Sequence, residues 1–278
     1  PVLRAITYRL AEPLETPAEP GALRDLLTRD RSISEAAVAL SLDLARVDLA
    51  GHAALLPTTL DIEAGQQVAI VGHSGSGKST LLSTVMGVQQ PTSGSVMCSG
   101  DHLDRARAER LWPHTVWVDP QVRVWNASLA QNVGGLSAGY RAVLAMAELT
   151  DVAARVADAP LGDDGGLLSG GEAQRVRFAR ALAQPMPSLV ILDEPLRGLD
   201  RGQRQRLLQT ALGHWQGATL LCATHDVSEA LNFDRVLVMD HGEVVEDGDP
   251  AALSADPTSR LFALLDAQLI NQPYLGGE

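Results

Sequence analysis

Gly72-His73-Ser74-Gly75-Ser76-Gly77-Lys78-Ser79-Thr80 is the stretch from which the rest of the chain can be read. It fits the pattern G-x-x-x-x-G-K-[ST], a loop that wraps phosphate groups. An apolar run, Val68-Ala69-Ile70-Val71, leads into it, and Leu81-Leu82-Ser83-Thr84-Val85-Met86 leads out. The first reads as a buried strand and the second as the opening turns of a helix, the context that the pattern requires. Gly72, Gly75 and Gly77 allow backbone conformations that other residues resist. Successive N–H groups then point inward at the positive end of the following helix. In that arrangement Lys78 reaches the β- and γ-phosphates, and the Ser79 hydroxyl binds Mg²⁺. Composition agrees: of 22 Lys+Arg residues, Lys78 is the sole lysine. A chain that otherwise uses arginine keeps a compact ammonium where a planar guanidinium would not fit between phosphates.

The 278 residues suffice for one large domain, or a domain with a lobe, around a substantial core. Hydrophobic residues make up 45% and the net charge is −12, with a pI of about 5.0. An acidic balance argues against a dedicated nucleic-acid binder, which presents a basic face. Cys98 and Cys222 sit in apolar, strand-like stretches and read as buried reduced thiols of a cytosolic protein. There is no secretory signal and no run of 18 apolar residues, so this chain is not expected to cross a membrane itself. It begins at Pro1, as a chain that has lost its initiator Met or as a piece of something longer.

Outward from the phosphate loop the chain alternates strands and helices. Residues 1–40 are acidic and spaced by prolines, a linker with a short helix at Gly21–Leu27. Leu40–Leu44 and Thr59–Ile62 alternate as strands do. Asp101–Leu111 reads as a charged helix, Tyr140–Val156 as one amphipathic helix, and Glu172–Ala183 and Arg201–Leu212 as two more. Thr115–Val118, Leu189–Leu192, Thr219–Ala223 and Val236–Met239 read as further strands. This alternation indicates an α/β layered fold, and there is no internal repeat.

Two further segments carry chemistry. Leu189-Val190-Ile191-Leu192 ends in Asp193-Glu194, placing two acids at the carboxyl end of a buried strand, where ligands of open α/β sheets bind. There Asp193 holds Mg²⁺ directly or through water, and Glu194 is positioned as a general base. Leu168-Ser169-Gly170-Gly171-Glu172 opens a helix. By itself it is a capping box of Ser169 and Glu172, or else a second anion-binding nest. A chain that already has its own phosphate cradle needs a second nest only if another copy's nucleotide is sandwiched against it.

Together these segments resemble the ATP-binding cassette (ABC) family. Gly72–Thr80, with His73, Ser74 and Ser76 between the glycines, looks like its Walker A motif, and Leu189–Glu194 like its Walker B. Ser169, Gly170 and Gly171 look like its signature, with Glu172 where glutamine is commoner. Gln121 resembles the Q-loop glutamine that senses Mg²⁺ and water, Gly198-Leu199-Asp200 the D-loop, and His225 the switch histidine. Trp125–Val133 is similar to the stretch that follows the Q-loop in exporters. Two departures stand out. No Phe, Tyr or Trp occupies Leu49-Ala50-Gly51-His52, where the family stacks adenine, leaving His52 or neighbouring aliphatic groups as candidates. Gly162–Gly166 matches the exporter pattern only loosely.

The resemblance implies a P-loop NTPase core with a mostly parallel sheet, an antiparallel β subdomain and a small helical subdomain. The ATPase domain would span residues 41–255, the helical subdomain about 122–168, and 256–278 a C-terminal helix and tail. Glu194, His225, Gln121 and Lys78 would be catalytic, Ser79, Gln121 and Asp193 would hold the metal, and Asp200 would join the phosphate-loop and signature residues in binding the nucleotide. The implied function is Mg-ATP hydrolysis by a head-to-tail dimer that drives export through a transmembrane domain, at the cytoplasmic face of the membrane, without nucleic acid. The rivals are a soluble ABC ATPase, an importer ATPase subunit and a small-molecule kinase. The interval from Gln121 to Ser169 is too short for the coiled-coil insertions of chromosome-maintenance and DNA-repair ABC ATPases.

Overall fold

The strand that enters the phosphate loop, β3 (Gln67–Val71), lies inside a six-stranded sheet. In the computed structural model, which describes residues 36–121, 123–135 and 139–270, the other strands of that sheet are β6 (Thr115–Val118), β7 (Leu189–Asp193), β8 (Thr219–Ala223), β9 (Arg235–Asp240) and β10 (Glu243–Gly248). Their order is β10-β9-β3-β8-β7-β6, parallel except for the edge strand β10. A second, antiparallel sheet has the order β2-β1-β4-β5, from β1 (Leu40–Leu49), β2 (His52–Ile62), β4 (Ser93–Cys98) and β5 (Asp101–His102). The linker and helix expected before residue 36 and the tail after 270 lie outside the described residues.

The unbroken apolar runs of the sequence follow from burial on both faces of the larger sheet. Along β3, Val68 and Ile70 face one core and Ala69 and Val71 the other. The same alternation holds in β7, where Leu189 and Ile191 oppose Val190 and Leu192. One core lies against the antiparallel sheet, α1 (Lys78–Val85) and α2 (Arg105–Leu111). The other lies under α3 (Leu129–Val133), α4 (Tyr140–Met146), α5 (Thr150–Val156), α6 (Gly170–Leu182) and α7 (Arg201–His214). α8 (Pro250–Ala255) and α9 (Arg260–Ile270) close this side, with Leu261 of α9 fully buried. Cys98 and Cys222 are buried free thiols.

Two expected helices are corrected. Asp101–His102 pairs as β5, and the helix starts only at Arg105, where Asp104 caps it by accepting from Arg107 N. Tyr140–Val156 is two helices, broken at Ala147–Leu149 with Glu148 at φ 54°. Ala147 and Leu149 are fully buried there, and the Glu148 carboxylate is caught by Gln203 and Arg206 of α7. Tertiary contact outweighs the local helical period.

Candidate functional site

The phosphate loop runs from the end of β3 into α1, and its shape requires glycine at two points. A Cβ on Gly72 (φ 148°) would fall 2.2 Å from Met239 O, and one on Gly77 (φ 103°) 2.9 Å from Ala54 O. Lys78, only 7% exposed, donates to Gly72 O (2.8 Å) and His73 O (2.9 Å), so its ammonium spans the mouth of the loop. Burial lowers its pKa, and Glu194 and Asp193 pull it back up. Ser76 Oγ is buried with no hydrogen-bond partner.

Register sets the acids at the same level. Asp193 is opposite Ala223 of β8, which is opposite Ile70 of β3. β8 thus lies between the two motif strands, and the acids meet the loop across it. Asp193 is buried, and burial raises its pKa against the hydrogen bond from Ser79. Glu194 turns off the strand at φ 46°, a left-handed conformation of the sort that marks constrained functional positions. Its Oε2 lies 3.8 Å from His225 Nδ1 and 3.3 Å from Arg197 Nη1. His225, half-exposed, comes from the end of β8.

These residues surround a cavity of about 350 Å³ lined by Ser74, Gly75, Gly77, Lys78, Ser79, Thr80, Glu194, Ala53, Ala54, His241 and Gly242. His241 and Gly242 carry no signal in the sequence motifs, while Ala53 and Ala54 are aliphatic neighbours of His52 of the kind left as candidates there. His52, the expected adenine contact, is the exposed first residue of β2 and does not line the cavity. Gln121 does not line it either, its carboxamide oxygen accepting from Arg123 at 3.2 Å. Ser169 caps α6 by accepting from Glu172 N (3.2 Å), while the Glu172 carboxylate accepts from Ser169 N (2.8 Å), a complete capping box. Ser169 and Gly170 are exposed and stand outside the cavity. Asp200 caps α7 through Gln203 N (2.9 Å).

The residues fit a polyphosphate with a divalent cation. The Lys78 ammonium is spent on carbonyls rather than on a carboxylate, the buried Ser76 hydroxyl is orphaned, and a desolvated carboxylate, Asp193, sits on a hydroxyl, Ser79. No group of three or more His, Cys, Asp or Glu that would hold a metal by itself occurs among the described residues. None of the helices among them is long and apolar enough to cross a membrane.

The family model described as "ABC transporter" matches residues 55–197, slightly more than half of the chain. The chain is 38% identical over 210 residues to an ATP-dependent lipid A-core flippase of Ralstonia nicotianae, covering 71% of this chain and 35% of the flippase. It is 40% identical over 220 residues to the aliphatic sulfonates import ATP-binding protein SsuB of Pseudomonas putida, covering 77% of each. Among solved structures, a bacterial Atm1-family ABC exporter with ATP bound superposes with a TM-score of 0.77 at 26% identity, over 84% of this chain and 42% of the exporter. The chain therefore spans about a third of the flippase and most of the importer protein. It belongs to the family of ABC transporter ATP-binding domains, which are ATPases.

Proposed function

We propose that this chain binds Mg-ATP between two copies, or between itself and a related domain, and hydrolyses it to drive a membrane transporter. The carrying observation is that the site comes in two separated halves. Lys78, Ser79 and Glu194 line the cavity, with Asp193 against Ser79 and His225 beside Glu194, whereas Ser169, Gly170 and the half-buried Gly171 form a helix end outside it. An exposed nest of N–H groups suits the γ-phosphate held by a partner.

In this reading the loop amides and Lys78 hold the β- and γ-phosphates, and Ser79 and Asp193 hold the metal. The metal would neutralise charge on the transferring group. The Glu194 carboxylate accepts a proton from the attacking water, a role worth about 10²–10⁴ in rate. His225, within 3.8 Å, is placed to steady that water and the outer phosphate. Gln121 would act only after moving toward the cavity.

Glu194→Gln keeps size and hydrogen-bonding reach but not basicity. The variant should bind ATP, stop releasing phosphate, and shift from monomer to dimer in Mg-ATP by light scattering at high protein concentration. Wild-type turnover in that variant overturns the assignment. Lys78→Ala should abolish measurable ATP binding in calorimetry while the fold persists.

The flippase relatives and the exporter fold support an exporter domain at the cytoplasmic face of the membrane. Trp125, 44% exposed and 3.8 Å beneath the Arg180 guanidinium, offers a contact for a membrane partner. One finding favours the second reading, an importer subunit: the match to SsuB covers 77% of both chains. Reading the gene upstream of Pro1 for membrane-spanning segments separates the two.

A further inference from the structure

A buried arginine outside the phosphate-binding cavity has work that the scheme above leaves unassigned. Arg177 of α6 is 6% exposed, and its Nε and Nη1 have no hydrogen-bond partner. Its Nη2 donates to Pro195 O (2.9 Å) and, at 3.5 Å, to Glu194 O. Gln174, one turn earlier and 4% exposed, donates to the same Pro195 carbonyl at 3.2 Å. The two side chains share a helix face, and both grip the backbone just where Glu194 adopts its left-handed conformation. Burying a guanidinium is costly unless acids face it. Asp119 and Asp193 do so, although burial still lowers its pKa to about 10. It therefore remains charged at neutral pH.

We infer that Arg177, backed by Gln174, is a positioning residue that sets the Glu194 carboxylate from the helix whose exposed end carries Ser169. Arg177 lies eight residues along α6 from its cap, about 12 Å at 1.5 Å per residue. A rigid helix thus joins the surface meant for a partner's nucleotide to the backbone of this copy's catalytic base. Movement of α6 when the partner engages Ser169–Gly171 is transmitted to Glu194 through two hydrogen bonds on one carbonyl. The inference rests on reading Glu194 as the base.

Arg177→Met keeps the stem and removes the donors. Misplacing a base by about 1 Å can cost on the order of 10²-fold, so kcat should fall at least about tenfold with ATP affinity within about twofold of wild type. Arg177→Met should also accumulate the Mg-ATP dimer, as Glu194→Gln does, because binding and closure are left intact. A merely structural arginine gives a different pattern: kcat, ATP affinity and melting temperature decline together and no dimer accumulates. That pattern, or a wild-type kcat, overturns the inference. If Arg177→Met does not fold, Gln174→Leu reads the same split with a smaller loss of kcat, and unchanged kcat in that variant overturns it. Glu194→Gln is run alongside. Turnover there fails the base assignment, whereas a dead Glu194→Gln beside a fully active Arg177→Met fails only this coupling.

Discussion

At the scale of single residues, the cavity differs from chain order in which ring lies beside it. Chain order makes His52 the nearest ring to the expected adenine position. Folding instead brings His241, from the turn between β9 and β10, to the cavity beside Ala53 and Ala54. That turn is anchored on both sides: Gly242 N donates to Ser76 O (2.9 Å), and Leu56 N donates to Gly242 O (2.7 Å). The His241 ring is thus carried on backbone fixed to the phosphate loop itself. His241→Ala should weaken ATP binding by roughly 0.5–1.5 kcal/mol, the scale of an aromatic contact, while His52→Ala leaves it unchanged. Calorimetry showing the reverse pattern would return the base to the first hairpin. Gly72→Ala should be far more damaging than either, since the added methyl meets a backbone carbonyl that cannot retreat.

At the scale of elements, the break between α4 and α5 shows what the helical period cannot encode. Glu148 has its carboxylate bound by Arg206 Nε (2.6 Å) and Gln203 Nε2 (2.9 Å), and its carbonyl by Arg175 of α6. One residue thereby ties the α4–α5 segment to two core helices. The hydrogen bond from Arg206 lowers the Glu148 pKa, burial opposes it, and Gln203 lowers it further. A depressed carboxylate stabilises the fold above its unfolded pKa, and that contribution disappears as pH falls through the folded value. Arg206 is largely exposed, so solvent screens the pair and its contribution is small. Urea unfolding should show Glu148→Gln slightly less stable than wild type at pH 7, with the gap closing as pH falls below the ordinary carboxylate range. No gap at pH 7 would mean that Glu148 acts through its backbone alone, and a gap that does not change with pH would mean that its charge is not what the contact uses.

At the scale of the whole molecule, the two cores on either side of the six-stranded sheet make the site a product of packing. Trp215 closes the core under α6 and α7, fully buried and edge-to-face with Phe178 at 6.1 Å. Its Nε1 has no partner. Trp215→Ala should cost roughly 3–5 kcal/mol in chemical denaturation. Trp215→Phe should cost under about 1.5 kcal/mol, because losing ring volume is partly offset by removing an unsatisfied N–H. Equal losses in the two variants would show that ring volume is not what that core needs.

The phosphate loop, the acid pair and the capped helix at Ser169 were legible in the sequence because each is a local device. Glycine conformations, a strand ending in acids and a Ser-x-x-Glu cap are fixed by neighbouring residues and need no distant partner. The apolar runs likewise announced a sheet buried on both faces. What the sequence could not supply was everything that depends on which strand lies beside which. β8 lies between the two motif strands, a distant turn carries His241 to the cavity, Gln121 stays outside it, and Arg177 grips the carbonyl after Glu194. Those facts arise from long-range pairing and from the burial of charges against each other, and no period or short motif records them.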